Sequence, residues 1–400
     1  MIERKEYQDR LISFKDKRLI KVVTGVRRCG KSTLLSMFQG YLRSRGVPDD
    51  NIVSVNFEDY DFAALREPDA LHSYLTARLS SSGMTYIFLD EIQNVRDFPV
   101  VLDSLFIREN VDLYATGSNA YMLSSDIATL LSGRYIEISM LPLSFSEYVS
   151  AVGGEGDLAR KYANYISRSS FPYAVNFETQ MDTDDYLMGI YNTVIMKDVA
   201  GRHRITDPMM LESVTRFLFD NIGSQLSTKR VSDIMTSDGR KIDAKTVERY
   251  ISALMDSFVI YQAKRYDIKG GQFLRTLEKY YAVDVGLRRT LLGSRNADMG
   301  HILENVIYLE LLRRGYRVYI GKVGTVEVDF VAMNGDETVY LQAAATVRDE
   351  NTLKRELLPL QKINDSRRKF IVTLDEDPES DFDGIRKINA YDFLLKRTGP

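Results

Sequence analysis

The sequence predicts an α/β protein: a parallel sheet built around a phosphate-binding loop, then a helical lid, a winged-helix region and a C-terminal α/β domain. Three observations lead there. A glycine-bearing segment, Gly25-Val26-Arg27-Arg28-Cys29-Gly30-Lys31-Ser32, stands between an apolar run and a helical pattern. Short apolar runs alternate with helical patterns up to about residue 145, the mark of right-handed crossovers and a parallel sheet covered on both faces. From about residue 150 the strand signal vanishes, and it returns in the C-terminal half.

The elements follow in order. Residues 19–24 read as a buried strand and 32–45 as a helix; further strands fit 51–57, 86–89, 111–116 and 135–138. Gly153-Gly154-Glu155-Gly156 looks like a connector, and the Tyr- and Met-rich stretch after it is largely helical to about residue 205. Three helical patterns then precede a two-strand pattern. The last helix covers about 244–258, with Asp243 as its N-cap and Val247, Ile251, Leu254 and Phe258 on one face. Strands at 259–265 and 279–283 flank Lys269-Gly270-Gly271, which completes a winged-helix pattern. From about 295 come a helix containing Glu304 and Glu310, strands at 317–320, 326–332 and 338–343, a helix near 353–363 and a strand at 369–373. The expected division is 1–149 phosphate-loop α/β core, 150–205 lid, 206–292 winged helix and 293–400 C-terminal domain.

Composition bounds the function. A length of 400 residues suggests two to three domains, and 44% hydrophobic with 27% charged residues is a soluble globular balance. No apolar run approaches the roughly 20 residues that span a bilayer, so no membrane is expected. Met1-Ile2-Glu3-Arg4-Lys5-Glu6 lacks an apolar signal core, and the expected location is cytoplasmic. One cysteine, Cys29, excludes an internal disulfide, and three histidines argue against His-based metal chemistry. A net charge of -3 does not announce nucleic acid, although local basic patches can still bind it.

Residues Gly25 to Ser32 match G-x-x-x-x-G-K-S in full. A strand delivers the chain to a tight loop whose backbone N–H groups cradle phosphates, and the glycines allow an approach that a side chain would block. Lys31 is placed to reach the β- and γ-phosphates, Ser32 to coordinate Mg²⁺, and Thr33 to continue the helix start over the ligand. Downstream, Tyr86-Ile87-Phe88-Leu89-Asp90-Glu91 ends an apolar strand in two carboxylates. Asp90 is expected to hold Mg²⁺ and Glu91 to polarise the attacking water; the bland alternative is a helix cap. The strand at 51–57 intervenes between the two motifs, as in the additional-strand ATPases. The next strand ends in Ala115-Thr116-Gly117-Ser118-Asn119, where Ser118 or Asn119 is the candidate contact to the γ-phosphate or water, against a simple turn cap. Arg134, after Leu131-Ser132-Gly133, is the candidate arginine for the γ-phosphate, in cis or from a neighbouring subunit; the competing reading is a surface arginine. Arg27 and Arg28 are weaker candidates for the phosphates or a neighbour, and Cys29 reads as a small loop residue.

Together with Phe-Leu-Asp-Glu-Ile-Gln (88–93), Thr-Gly-Ser-Asn (116–119), Ser-Gly-Arg (132–134) and Leu-Pro-Leu-Ser-Phe-Ser-Glu-Tyr (141–148), the loop resembles the prokaryotic AAA+ ATPases with an uncharacterised C-terminal domain. Leu303-Glu304-Asn305, Glu327-Val328-Asp329-Phe330 and Leu341-Gln342 extend the resemblance over nearly the whole chain. It implies an AAA+ fold, ATP binding and hydrolysis, and a cytoplasmic location; a homo-oligomer in some nucleotide states is a separate expectation.

The C-terminal layout resembles the restriction-endonuclease-like fold, whose nucleases use a helix Glu, a strand Asp and an acidic-x-Lys pair on the next strand. Glu304 and Asp329 match the first two positions, and Gln342 could be a neutral metal ligand, but Ala344 stands where the lysine belongs. Phosphodiester cleavage is therefore not expected, and binding or assembly is the leading role. In the winged-helix region Arg240, Lys241, Lys245 and Arg249 cluster near the recognition helix, with Lys264, Arg265 and Lys269 near the wing. That pattern points to DNA, while solvated faces or protein docking are the alternatives. The leading expectation is an ATPase that moves DNA-binding or partner-docking domains. The second is a nucleotide-dependent protein-assembly switch without DNA.

Overall fold

The structure is a computed structural model that describes residues 2–120, 131, 133–154, 156–293 and 298–400. Ser132 and Glu155, which belong to two of the segments singled out above, lie outside the described residues. The chain divides into two units, Met1–Met140 with Asp256–Phe258, and Leu141–Met255 with Val259–Pro400. The segment beyond Met140, apart from Asp256–Phe258, packs as one unit.

In the first unit the strands are β1 (Ile20–Thr24), β2 (Ile52–Asn56), β3 (Thr85–Asp90), β4 (Val111–Gly117) and β5 (Tyr135–Ser139). All pair in parallel, in the order β2-β3-β4-β1-β5. Helices α1 (Lys5–Ser13), α2 (Lys31–Ser44), α3 (Pro68–Thr76) and α4 (Phe98–Phe106) accompany them. β1 and β3 are buried along their whole length, which is why they read as near-continuous apolar runs. Val22, Val55, Ile87, Leu89 and Ala115 from the strands pack with Leu71, Leu75, Leu102 and Leu105 from the helices. One polar pair interrupts this core: Lys21 of β1 is ion-paired with Asp112 of β4, and Tyr114 donates to the same carboxylate at 2.8 Å. Space corrects one expectation. The strand that separates β1 from β3 is β4, whereas β2 lies at the sheet edge.

The second unit holds an eight-stranded sheet in the order β12-β13-β11-β10-β9-β8-β6-β7. Its strands are β6 (Ile260–Asp267), β7 (Gln272–Ala282), β8 (Arg317–Val323), β9 (Val326–Asn334), β10 (Glu337–Ala344), β11 (Lys369–Thr373), β12 (Ser380–Phe382) and β13 (Ile385–Asn389). Alternate residues of β9 and β10 face opposite layers, as the two-residue period of a strand requires. Phe330, Val339 and Leu341 pack with Leu303 and Ile307 of the helix Met299–Arg313, while Val331 and Tyr340 pack with Leu357 and Leu360 of the helix Glu350–Gln361. The expected wing is the β6–β7 hairpin, and β6 pairs in parallel with β8. The hairpin and the C-terminal strands therefore share one sheet, with no break near residue 292.

Two further features tie the helical segment into this unit. The buried Asp284 accepts hydrogen bonds from the Ser170 backbone N–H at 2.6 Å and from Leu287 at 2.6 Å. A Cβ on Gly286 would lie 2.1 Å from the Arg168 carbonyl oxygen, so only glycine allows that approach. The helix Ala244–Asp256 is capped by Asp243, which accepts from the Thr246 N–H at 3.0 Å, and it stops two residues short of Phe258. No helix among the described residues is long and apolar enough to cross a membrane.

Candidate functional site

The segment between β1 and α2 is a tight loop at the C-terminal edge of the first sheet. Gly25 has φ +147°, and a Cβ there would sit 2.1 Å from the Met140 carbonyl oxygen. Gly30 adopts φ +106° as the N-cap of α2, a conformation that costs a side-chain-bearing residue energy. Arg28 also has positive φ, at 68°, and is exposed. Cys29 is buried, and burial pushes its thiol above the usual range, so it is not a ready nucleophile. Val26 is buried beneath the loop, while Ser32 and Thr33 are exposed in the first turn of α2. Arg27 is ion-paired with Glu58, which holds it beside the loop.

The Lys31 side chain is buried and turns back into the loop. Its Nζ donates to the carbonyl oxygens of Gly25 at 3.0 Å and Val26 at 3.3 Å, and lies 3.6 Å from Glu91 Oε1. Asp90 ends β3 and Glu91 follows in a left-handed conformation, φ 54° and ψ 48°. Thr116 of β4 joins the two: its Oγ1 donates to Asp90 and accepts the Glu91 backbone N–H at 2.9 Å. Ser118 Oγ donates to Glu91 Oε2 at 2.9 Å. Burial pushes the Glu91 carboxyl up, but the Lys31 ammonium and hydrogen bonds from Gln93 and Ser118 outweigh it and hold the group below the usual carboxylate range. These residues fit Mg²⁺ with a nucleoside triphosphate. The loop leaves room only for backbone, its lysine is aimed inward, and the Asp90 carboxylate stands at the end of β3, with β4 between it and the loop strand.

The predicted residues Gly25 to Thr33, Asp90, Glu91, Ser118 and Asn119 all lie at this one edge of the sheet, with Asn119 buried. Arg134 does not join them. It precedes β5 at the opposite edge, where its carbonyl accepts from Ile20, and its side chain pairs with Asp103 and lies over the Phe106 ring. The length of β1 separates it from the loop, roughly 16 Å at about 3.3 Å per residue. That separation argues against action on the γ-phosphate in cis. Arg134 directly precedes the strand, and because β5 runs parallel to β1 that end lies opposite the loop. Sequence reasoning passed over Thr116 and Gln93 as site residues. Thr116 had a signal: it stands two residues before Ser118, on the same side of a strand end.

The second unit contains a separate polar cluster. Glu304 and Asp329 come together as expected, but around an ammonium. Lys279 Nζ of β7 lies 2.8 Å from Glu304, 2.7 Å from Glu327 and 3.8 Å from Asp329. Tyr281 donates to Glu304 at 2.7 Å. Gln342 instead accepts the Asp329 N–H at 2.7 Å and donates to Glu356 at 2.9 Å. Burial opposes the Lys279 charge, yet the three carboxylates prevail and raise its pKa. Burial, then the Glu304 charge, pushes Asp329 up to about 8 against the pull of Lys279. Among the described residues no group of three or more His, Cys, Asp or Glu side chains is arranged to hold a metal ion.

A parallel sheet with β4 between the loop strand and the carboxylate strand defines a P-loop protein of the AAA+ ATPase class. Comparison with known proteins agrees: a family model described as an AAA domain matches residues 17–149, and one for a domain of unknown function (DUF8612) matches 159–298. The chain is 38% identical over 400 residues to a Haemophilus influenzae protein named only "Uncharacterized protein", covering 99% of each chain, and it belongs to the same family. The "Uncharacterized protein MJ1544" of Methanocaldococcus jannaschii is 26% identical over 361 residues, 86% of this chain and 78% of its own. The solved structure of the Walker-type ATPase PABY2304 of Pyrococcus abyssi shares the fold, with TM-score 0.51 at 13% identity over 73% of this chain and 96% of that one.

Proposed function

We propose that the chain binds ATP with Mg²⁺ at the loop Gly25 to Thr33 and hydrolyses it. The observation that carries this reading is the state of Lys31. A buried ammonium rests on two loop carbonyls, with its nearest carboxylate at 3.6 Å. It is ready to be taken over by the β- and γ-phosphates. Ser32 and Asp90 are the residues to hold Mg²⁺, which neutralises charge on the phosphate oxygens when bound. Glu91, kept ionised by its neighbours, accepts a proton from water as the water oxygen bonds to the γ-phosphorus and the bond to the β–γ bridging oxygen breaks. Asn119 and Ser118, both buried at the same edge, are the candidates to contact the γ-phosphate or the attacking water.

The test is phosphate release from ATP by the full chain, with Lys31→Ala as the blank. Glu91→Gln should keep ATP binding and lose about a hundredfold or more of the turnover. Wild-type turnover no faster than the Lys31→Ala blank refutes the reading.

Coupling to duplex DNA is the second part of the proposal. Arg240, Lys241, Lys245 and Arg249 are all exposed around the helix Ala244–Asp256, and Lys264 and Lys269 are exposed on the hairpin. Such a helix enters a groove while the hairpin contacts phosphates. Duplex DNA should then stimulate ATP turnover, with an affinity that falls steeply with salt. If turnover ignores DNA and Glu91→Gln forms larger assemblies only with ATP, the assembly switch is the better account.

A further inference from the structure

The short turn Ile92–Asn94 follows directly on Glu91 and brings the Gln93 amide back to that carboxylate. Gln93 Nε2 donates to Glu91 Oε2 and also lies 3.3 Å from Ser118 Oγ, which itself donates to Glu91 Oε2. The orientation of the amide follows from chemistry, because turned over it would set a carbonyl oxygen against a carboxylate. The two oxygens of Glu91 are thus treated differently. Oε2 is held by two neutral donors, Gln93 and Ser118. Oε1 lies 3.6 Å from the Lys31 ammonium, which the phosphates would draw away. The Gln93 Oε1 atom is buried and accepts a hydrogen bond from no described residue. A buried carbonyl oxygen left in that state is unfavourable by about 1–3 kcal/mol, and such orphans mark places where a ligand or water belongs.

We propose that Gln93 is the positioning residue for hydrolysis. Its amide nitrogen fixes Oε2 of Glu91 so that Oε1 is presented to the attacking water, and its amide oxygen accepts the hydrogen bond from that water's other proton. The water is then oriented through both protons, one passing to Glu91 as its oxygen bonds to phosphorus and the other staying on the new phosphate oxygen. Ser118 shares the first task and not the second. The inference rests on the hydrolytic reading above and adds to it a role for Gln93.

The experiment compares full-length wild type with Gln93→Ala, Gln93→Glu and Ser118→Ala. It measures kcat and KM for ATP, the Kd of a fluorescent ATP analogue and the thermal midpoint. Gln93→Ala should lower kcat about tenfold or more while the Kd stays within about threefold. Gln93→Glu, nearly the same shape but without the donor, should lose at least as much. Ser118→Ala should lose less than Gln93→Ala. If wild type hydrolyses ATP and Glu91→Gln does not, yet Gln93→Ala turns over within about twofold of wild type or faster, the proposal is overturned and the hydrolytic reading stands. A parallel fall in kcat and nucleotide affinity also overturns it, since that marks a merely structural role. If Gln93→Ala does not fold, Gln93→Glu decides on the same criteria. Absence of wild-type hydrolysis removes both readings together.

Discussion

Lys279→Met keeps the length of the side chain and removes its charge, and it should weaken the second unit by an amount that grows with pH. The Lys279 side chain is 5% exposed and Glu304 6%, while Glu327 at 27% can recover some water. Removing one partner from a buried ion pair costs about 3–5 kcal/mol when the stranded charge cannot relax. Here it can relax by taking a proton. Asp329 already sits near 8, so it is a further carboxyl of the cluster, robbed of the ammonium it shares, that must take up the proton. The native state of the variant then holds a proton that the unfolded chain releases above about pH 4.3, and each further pH unit disfavours folding by about 1.4 kcal/mol. The deficit relative to wild type should be about 1 kcal/mol near pH 5 and about 5 kcal/mol near pH 8. Wild type itself should lose stability as pH rises from the ordinary Asp range towards 8, because the raised Asp329 favours the protonated native state. Urea unfolding followed by circular dichroism and tyrosine fluorescence at several pH values reads both effects; the chain has 24 tyrosines and no tryptophan. A deficit that is flat with pH, or below about 1 kcal/mol at pH 8, would show that Lys279 does not neutralise these carboxylates.

Two other expectations concern the first unit. Gly25→Ala would place a Cβ 2.1 Å from the Met140 carbonyl, so the loop must shift, and ATP affinity should fall at least about tenfold in a fluorescent-analogue titration. Wild-type affinity in that variant would mean that the loop and the end of β5 part easily. Arg134→Ala, at the far edge of the sheet, should leave nucleotide affinity of the monomer within about twofold. A tenfold loss in a monomer would contradict the separation argued above.

Much of the first unit was legible because its signals are local. A phosphate loop needs its glycines and lysine at set spacings, and buried parallel strands announce themselves as apolar runs. The cap at Asp243 and the buried face of Val247, Ile251 and Leu254 were readable for the same reason. What failed depends on register between distant strands. Arg134 was read as preceding β5, and it is the parallel pairing of β5 with β1 that puts this end of the strand away from the loop. The β6–β7 hairpin read as a wing, but only its pairing with β8 shows that it extends the C-terminal sheet. That pairing also brings β7 towards β9 and supplies a lysine to Glu304 and Asp329 from a strand far from Ala344. Glu310, on the same helix as Glu304, stays out of that cluster because Arg313 and Arg314 hold it.

The adjacency of Asp90 and Glu91 poses a geometric problem that the backbone solves. Successive side chains of a strand point to opposite faces, so two neighbouring carboxylates should not serve one site. β3 ends at Asp90, and Glu91 takes the left-handed conformation, which breaks the alternation. Such a conformation costs a non-glycine residue about 1–3 kcal/mol and persists where the surroundings enforce it. Here the enforcing contacts come from β4. Thr116 accepts the Glu91 N–H and donates to Asp90, and Ser118, two residues on and so on the same side, donates to the Glu91 carboxylate. A glycine at 91 would relieve the strain and lose the carboxylate, and an aspartate would be one methylene short of Ser118. The pair works as a unit because β4, and not β2, lies between the two motif strands. The inserted strand supplies the hydroxyls that turn an alternating strand end into two carboxylates facing one loop.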